Sequence, residues 1–201
     1  MSDSSFPDRN RLDMTPPAQL QAIETATRTL GFGMASVPQT GALLRSLAAA
    51  KPACRILELG TGTGIATCWL LDGLDDDGRL VTVEIDPVVQ QVAKIDLGYD
   101  ARISFVGEDA VSFMQHAPRS AFDLIFADAL PGKFSELDDA LSLLADEGVY
   151  IVDDLLPQDN WPHGHAEKVP AFIDNMMARG DLVVEYWEWS SGILLARKSG
   201  G

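Results

Sequence analysis

Between Arg55 and Val152, short apolar runs alternate with segments of helical character, and this alternation constrains the fold more than any other feature. The runs are Ile56-Leu57-Glu58-Leu59, Leu80-Val81-Thr82-Val83, Ile103-Ser104-Phe105-Val106, Leu124-Ile125-Phe126-Ala127 and Val149-Tyr150-Ile151-Val152. Nearly continuous apolar runs of this length fit strands covered on both faces. The stretches near 65–74, 87–97, 110–117 and 134–145 are long enough to be helices between them. Such alternation specifies a parallel sheet with helices on both sides. The ending differs. After a helix over Val169–Arg179, the apolar runs Leu182–Trp187 and Ile193–Ala196 flank Ser190-Ser191-Gly192, which is a hairpin signal. The expected fold class is therefore α/β, a doubly wound, mostly parallel, seven-stranded sheet closed by an antiparallel β-hairpin.

Ahead of the first strand, Thr15-Pro16-Pro17 reads as an N-cap with proline in the first turn. That helix would pass through Leu20, Ile23 and Leu30 and stop at Gly31, and a second would run from about Gln39 to Ala50. Residues 1–14 are polar and expected to be disordered. The 201 residues accommodate all of this in one domain, with N-terminal helices over 15–50 and the sheet over 55–201.

The chain carries 30 acidic and 15 basic side chains, a formal net charge of −15. That balance excludes broad binding to nucleic acid or to an anionic membrane surface. It also disfavours a polyanionic substrate such as a coenzyme A ester, absent a local basic pocket. No stretch approaches the roughly 20 apolar residues that span a bilayer. The start, MSDSSFPDRNRLDM, has no apolar segment of signal-peptide type, so a cytoplasmic location is expected. Cys54 and Cys68 are too few and too widely spaced for a disulfide framework or a zinc knuckle, and read as buried thiols.

The most informative segment is Glu58-Leu59-Gly60-Thr61-Gly62-Thr63-Gly64-Ile65, where the first strand turns into the first helix of the alternating region. Glycines there allow tight backbone turns and close approach of a ligand, outside the carboxyl end of the strand. Glu84 ends the next strand, twenty residues after Gly64, where a carboxylate can accept hydrogen bonds from two ribose hydroxyls. Asp109-Ala110 follows the third strand and has two readings: contact with an adenine amino group, or an N-cap.

The glycines follow the spacing G-x-G-x-G, not the dinucleotide pattern G-x-G-x-x-G, and no second half repeats the motif. With Glu58 in front of them, the sequence resembles the class I S-adenosylmethionine-dependent methyltransferases. Within these it is similar to the small-molecule O-methyltransferases related to catechol and caffeoyl-coenzyme A O-methyltransferase. The resemblance covers nearly the whole chain and implies a Rossmann-like fold, a homodimer and S-adenosylmethionine as cofactor. It implies that the segment from Met34 and Ser36 to Gly41 closes over the cofactor methionine. It further implies cofactor contacts from Glu58, Gly60, Thr61, Gly62, Gly64, Glu84, Ile85, Asp109, Ala110 and Asp128.

Methyl transfer is an in-line displacement that needs alignment and an exposed nucleophilic oxygen. A phenol, with a pKa of about 10, gains from a base or from a cation that stabilises its oxyanion. Asp128, Asp153 and Asp154 end the fourth and fifth strands of the alternating region, and such a set of carboxylates suits Mg²⁺ or Ca²⁺. The alternative is a set of helix caps and strand-end acids without metal. The metal-dependent relatives carry Asp, Asp and Asn, so Asp154 replaces an amide. They also carry a lysine three residues after the first aspartate, where this chain has Pro131. Lys133, two residues further on, is the candidate replacement, with a solvated lysine as the alternative. In the loop 155–165, Trp161 and His163 are candidates for the acceptor pocket, and His163 or His165 is a candidate general base. Trp187 and Trp189 read as packing or as a dimer contact.

The function expected is transfer of a methyl group to an oxygen of a small aromatic acceptor, with Asp128, Lys133 and His165 as catalytic candidates. Two alternatives stand beside it: an aminopropyltransferase on the same fold, and a cofactor-binding module whose altered 128–133 loop has lost catalysis.

Overall fold

The computed structural model describes residues 13–198. Most of the 1–14 segment expected to be disordered lies outside the described residues. Two helices, α1 (Leu20–Leu30) and α2 (Pro38–Ala49), precede β1 (Arg55–Leu59), α3 (Ile65–Gly73), β2 (Arg79–Val83), α4 (Pro87–Leu97) and β3 (Ile103–Val106). There follow α5 (Ala110–His116), β4 (Phe122–Ala127), α6 (Leu137–Leu143), β5 (Leu144–Val152), α7 (His165–Met177), β6 (Leu182–Trp187) and β7 (Ile193–Lys198). All seven strands join one sheet in the order β3-β2-β1-β4-β5-β7-β6. Strands β1 to β5 pair in parallel with one another, whereas β7 runs antiparallel to both β5 and β6.

Successive strand residues face opposite sides, and each side has its own core. In β4, Phe122 and Ile125 pack with residues of α5, α6 and α7, while Leu124 and Phe126 pack with residues of α1 to α4. Glu58 lies between the inward-facing Leu57 and Leu59 and therefore points towards α3. Chain order reverses direction at β1, with β2 on one side and β4 on the other. This switch point opens a crevice at the carboxyl ends of the strands.

Several boundaries differ from the sequence expectation. Thr15 does not cap α1, which begins at Leu20 with Gln19 at the N-cap position, after a turn closed by Leu20 N–H on Pro17 O. Helix α6 is shorter than 134–145. Residues 131–136 form a looped turn ending at Glu136 in a left-handed conformation, and Leu144 already belongs to β5. Helix α7 starts at His165, with Pro170 inside it rather than in its first turn.

Two glycines of the β1–α3 turn serve different ends. Gly60 has φ +101, and a Cβ there would lie 3.2 Å from the Asp128 backbone, so the ends of β1 and β4 meet without an intervening side chain. Gly64 has φ +94 and allows α3 to sit on α4; a Cβ there would come within 2.5 Å of Ala93 Cβ. Gly64→Ala should cost about 2–4 kcal/mol, combining backbone strain with overpacking against a buried helix. Urea denaturation followed by circular dichroism measures it, and an unchanged midpoint would show that the helix pair has room to spread.

Candidate active site

The turns after β1, β2, β4 and β5 enclose a cavity of about 490 Å³ with the segment 32–37 on one side. That volume lies within the range of small-ligand sites. Met34, Ser36, Gly60, Thr61, Gly62, Glu84 and Asp128 line it, as do Lys133, Asp153, Asp154 and His165. A second, open groove of about 870 Å³ runs along α1, lined by alanines, threonines, Gln21 and aliphatic residues with no titratable group.

The cofactor end is built from the β1–α3 turn. Glu84, following β2, accepts hydrogen bonds from Gly62 N–H at 2.9 Å and Asp86 N–H at 3.0 Å, one to each carboxylate oxygen. Each oxygen keeps a further lone pair. Beneath the turn, Thr61 shares a hydroxyl hydrogen bond with Thr82, and Gln90 donates to Thr61 and to Val106 O.

Five residues expected to contact cofactor do not line this cavity. Glu58 is fully buried under the turn, where Thr67 and Thr82 donate hydroxyl hydrogen bonds to one carboxylate oxygen and the other has no partner. Gly64 is consumed by the contact between α3 and α4. Ile85 lies outside the cavity at 66% exposure. Asp109 caps α5 by accepting from Val111 and Ser112 N–H, and buried Ala110 follows it in the helix.

At the other end, Asp128, Lys133, Asp153 and Asp154 come together although 25 residues of sequence separate the first from the third. Lys133 is buried, with its ammonium 3.5 Å from an Asp128 oxygen and donating to the Asp153 carbonyl at 2.9 Å. The loop that turns it inward is tied from below: Tyr150, fully buried in β5, donates its hydroxyl hydrogen bond to Gly132 O. Asp153 accepts from its neighbour Asp154 N–H at 2.7 Å and from Ser191 in the β6–β7 turn. Asp154, in a left-handed conformation with φ +67, accepts from Trp161 Nε1–H at 2.6 Å.

Asp128, Asp153 and Asp154 do not fit a divalent cation, one of the two readings the sequence left open for them. Among the described residues, no group of three or more His, Cys, Asp and Glu side chains is placed to hold a metal ion. The physical reason is local: a protein cation, Lys133, already lies between the ends of β4 and β5, and protein donors occupy oxygens of all three acids.

Burial pushes the Asp128 carboxyl up. Lys133 opposes this, while Asp153 and Asp154 add to it. Burial also raises Asp153, against hydrogen bonds from Ser191 and Asp154. His165 is 5% exposed, stacked on Trp161 at 4.4 Å between ring centroids, and burial lowers its pKa. Its Nε2 lies 3.0 Å from Asp154 O; a carbonyl can only accept, so Nε2 carries the hydrogen and Nδ1 keeps the lone pair.

The two remaining acceptor-pocket candidates fall elsewhere. Trp161 is turned onto Asp154 and His165 rather than lining the cavity, and His163 is exposed outside it. Phe134, Gln158 and Asn160 line it instead. The Asn160 amide donates to Gly33 O at 2.5 Å, joining the loop after β5 to the segment before α2. No motif marks these residues; they meet only because both loops cross the same strand ends.

Residues 57–155, from β1 to just beyond β5, match the family model of the methyltransferase domain. Over these residues the chain is similar to a methyltransferase domain. The match takes in the glycine turn, Glu84 and all three strand-end aspartates of this chain. A curated Mycobacterium ulcerans protein carrying an O-methyltransferase name is 33% identical over 131 residues, which is 62% of this chain and 58% of that protein. The chain spans about half the length of the curated relatives it matches. The O-methyltransferase TomG from Streptomyces achromogenes, solved in complex with SAM, is 26% identical with a TM-score of 0.78, covering 91% of this chain and 90% of its own. Cofactor-bound Rv0187 from MTB is likewise 26% identical with a TM-score of 0.78, over 89% and 88% of the two chains. The mostly parallel sheet with its terminal hairpin is thus a methyltransferase fold.

Buried Glu58 makes stability depend on pH. Burial pushes it up to about 8, against the Thr67 and Thr82 hydrogen bonds. The folded state therefore holds a proton that the unfolded state releases, and stability falls as pH rises from the carboxylate range through about 8. Thermal unfolding from about pH 6 to about pH 9 should show a falling midpoint. Glu58→Gln, which cannot ionise, should flatten that decline; equal slopes in both proteins would remove Glu58 as its source.

Proposed function

We propose that this chain transfers the methyl group of S-adenosylmethionine to a hydroxyl oxygen of a small aromatic acceptor. The observation that carries the reading is that one cavity is lined both by the Gly60–Thr63 turn with Glu84 and by Lys133 with His165. Bound there, S-adenosylmethionine supplies an electrophilic methyl on a cationic sulfur. Glu84 holds the ribose hydroxyls through its two spare lone pairs, and Ser36 and Met34 close over the methionine end. Asp128 lines the same cavity, where its charge would favour the cationic sulfur of the bound cofactor.

Lys133 holds the acceptor oxygen and stabilises the negative charge that develops on it. His165, kept neutral by burial, takes the hydroxyl proton on Nδ1 and passes it to solvent. The acceptor lone pair forms the O–C bond as the S–C bond breaks, and that bond's electron pair remains on sulfur. Phe134, beside Lys133, offers an aromatic face to the acceptor ring.

Of the residues lining the cavity, only Lys133 and His165 are basic, against five acids. This supports a neutral acceptor over an anionic one such as a coenzyme A ester. We place the protein in the cytoplasm as a homodimer without nucleic-acid or membrane partners; no helix among the described residues is long and apolar enough to cross a membrane.

Calorimetry with S-adenosylmethionine, followed by turnover against a panel of catechols and phenols, tests the reading. Glu84→Ala should weaken cofactor binding by about tenfold or more, the loss of hydrogen bonds to a charged group. Lys133→Met should lower turnover by about 10²–10³-fold while leaving cofactor affinity nearly unchanged. No measurable cofactor binding by the unaltered chain would sink the assignment.

A further inference from the structure

We infer that the buried ammonium of Lys133 is a built-in replacement for a divalent metal, so that this domain works without one. The chemical half of the inference rests on the methyl-transfer reading above; the exclusion of metal rests on geometry alone.

The first observation is position. Lys133 Nζ bridges the ends of β4 and β5, 3.5 Å from Asp128 Oδ1 and 2.9 Å from Asp153 O, with its side chain only 3% exposed. A dication placed among Asp128, Asp153 and Asp154 would share this volume with a fixed positive charge. The second observation is the state of the carboxylate oxygens. Asp153 Oδ1 already takes two donors, Asp154 N–H and the Ser191 hydroxyl. Asp154 Oδ1 is held by Trp161 Nε1–H, and Asp128 Oδ2 lies 3.4 Å from the Ser36 hydroxyl. Calcium needs six to eight oxygens at about 2.3–2.6 Å, and magnesium a near-octahedral set at about 2.0–2.1 Å. A dication here would have to compete with these donors and with the Lys133 ammonium for the same oxygens.

The third observation is that the ammonium is held from several directions. Lys133, Phe134 and Ser135 N–H all point to Leu130 O, and Gly132 N–H donates to Ser135 O at 2.8 Å, which closes a tight loop. Tyr150 anchors Gly132 from within the core. The Phe134 ring lies 5.6 Å from Nζ. A solvated lysine would have none of these constraints. In the transfer step Lys133 keeps its own proton: it makes and breaks no covalent bond, and supplies a donor and a positive charge to the acceptor oxygen, as a Lewis-acidic metal would.

The test is metal binding, which needs no acceptor. The purified chain is treated with EDTA, desalted and titrated with Mn²⁺, with free Mn²⁺ read by electron paramagnetic resonance. No stoichiometric uptake is expected, nor any change of melting temperature on adding Mg²⁺, Ca²⁺ or EDTA. Lys133→Met, which keeps the length and removes the charge, should bind Mn²⁺ at least about tenfold more tightly than the unaltered chain. One equivalent of Mn²⁺ bound by the unaltered chain and lost in Asp153→Asn would overturn the proposal. So would a folded Lys133→Met protein with no gain in Mn²⁺ affinity. The titration of the unaltered chain decides the matter even if that variant does not fold. Absence of methyl transfer to every acceptor would count against the functional reading and leave the metal result standing.

Discussion

The close meeting of β1 and β4 at their carboxyl ends is the contact on which the rest of this molecule depends. Asp128 N–H donates to Leu59 O at 3.0 Å, and Gly60 leaves no side chain between its own backbone and that of Asp128. Because the chain reverses its winding here, no helix crosses the gap, and the turns after β1, β2, β4 and β5 open into one crevice. Glu84, Lys133 and His165 reach the same volume for that reason alone.

The two ends of β4 show how surroundings, not residue type, set the behaviour of an acid. Asp123 is the second residue of the strand and Asp128 follows its end. Burial alone would raise Asp123, yet two hydrogen bonds from the Arg55 side chain and one from Lys51 hold its carboxyl below the usual range. Asp128 is raised, because burial outweighs the pull of Lys133, a cation it shares with Asp153, and the neighbouring acids Asp153 and Asp154 add to the rise. The first is a fixed structural charge. The second faces the crevice, where its charge is only partly balanced.

Much of the fold was legible because burial on both faces leaves a direct trace in apolar runs, and the seven strands fall where those runs stand. Boundaries were less legible where tertiary packing overrode local signals. Pro170 marks a helix start by propensity, yet α7 begins five residues earlier at His165, whose ring stacks on Trp161 and meets Phe134 edge-on. The site divides in the same way. Glu84 and Gly60 follow from the strand–turn–helix pattern, whereas Glu58, one pleat away, turns to the opposite face and becomes a buried acid under the turn. Tyr150 and Ser191 carry no motif, and their importance arises only from what lies across the sheet from them.

By itself the sequence determined the alternating architecture, the hairpin ending and the glycine turn that opens the crevice, since periodicity and glycine spacing are local properties of the chain. Only the tertiary structure decided what the acids at the strand ends do. Their chemistry depends on which positive charge lies between them, and a loop of Pro131 and Gly132, pinned by Tyr150 from a strand that follows it, turns Lys133 into that position. No local pattern encodes that contact, because its partners are set by the pairing of β4 with β5.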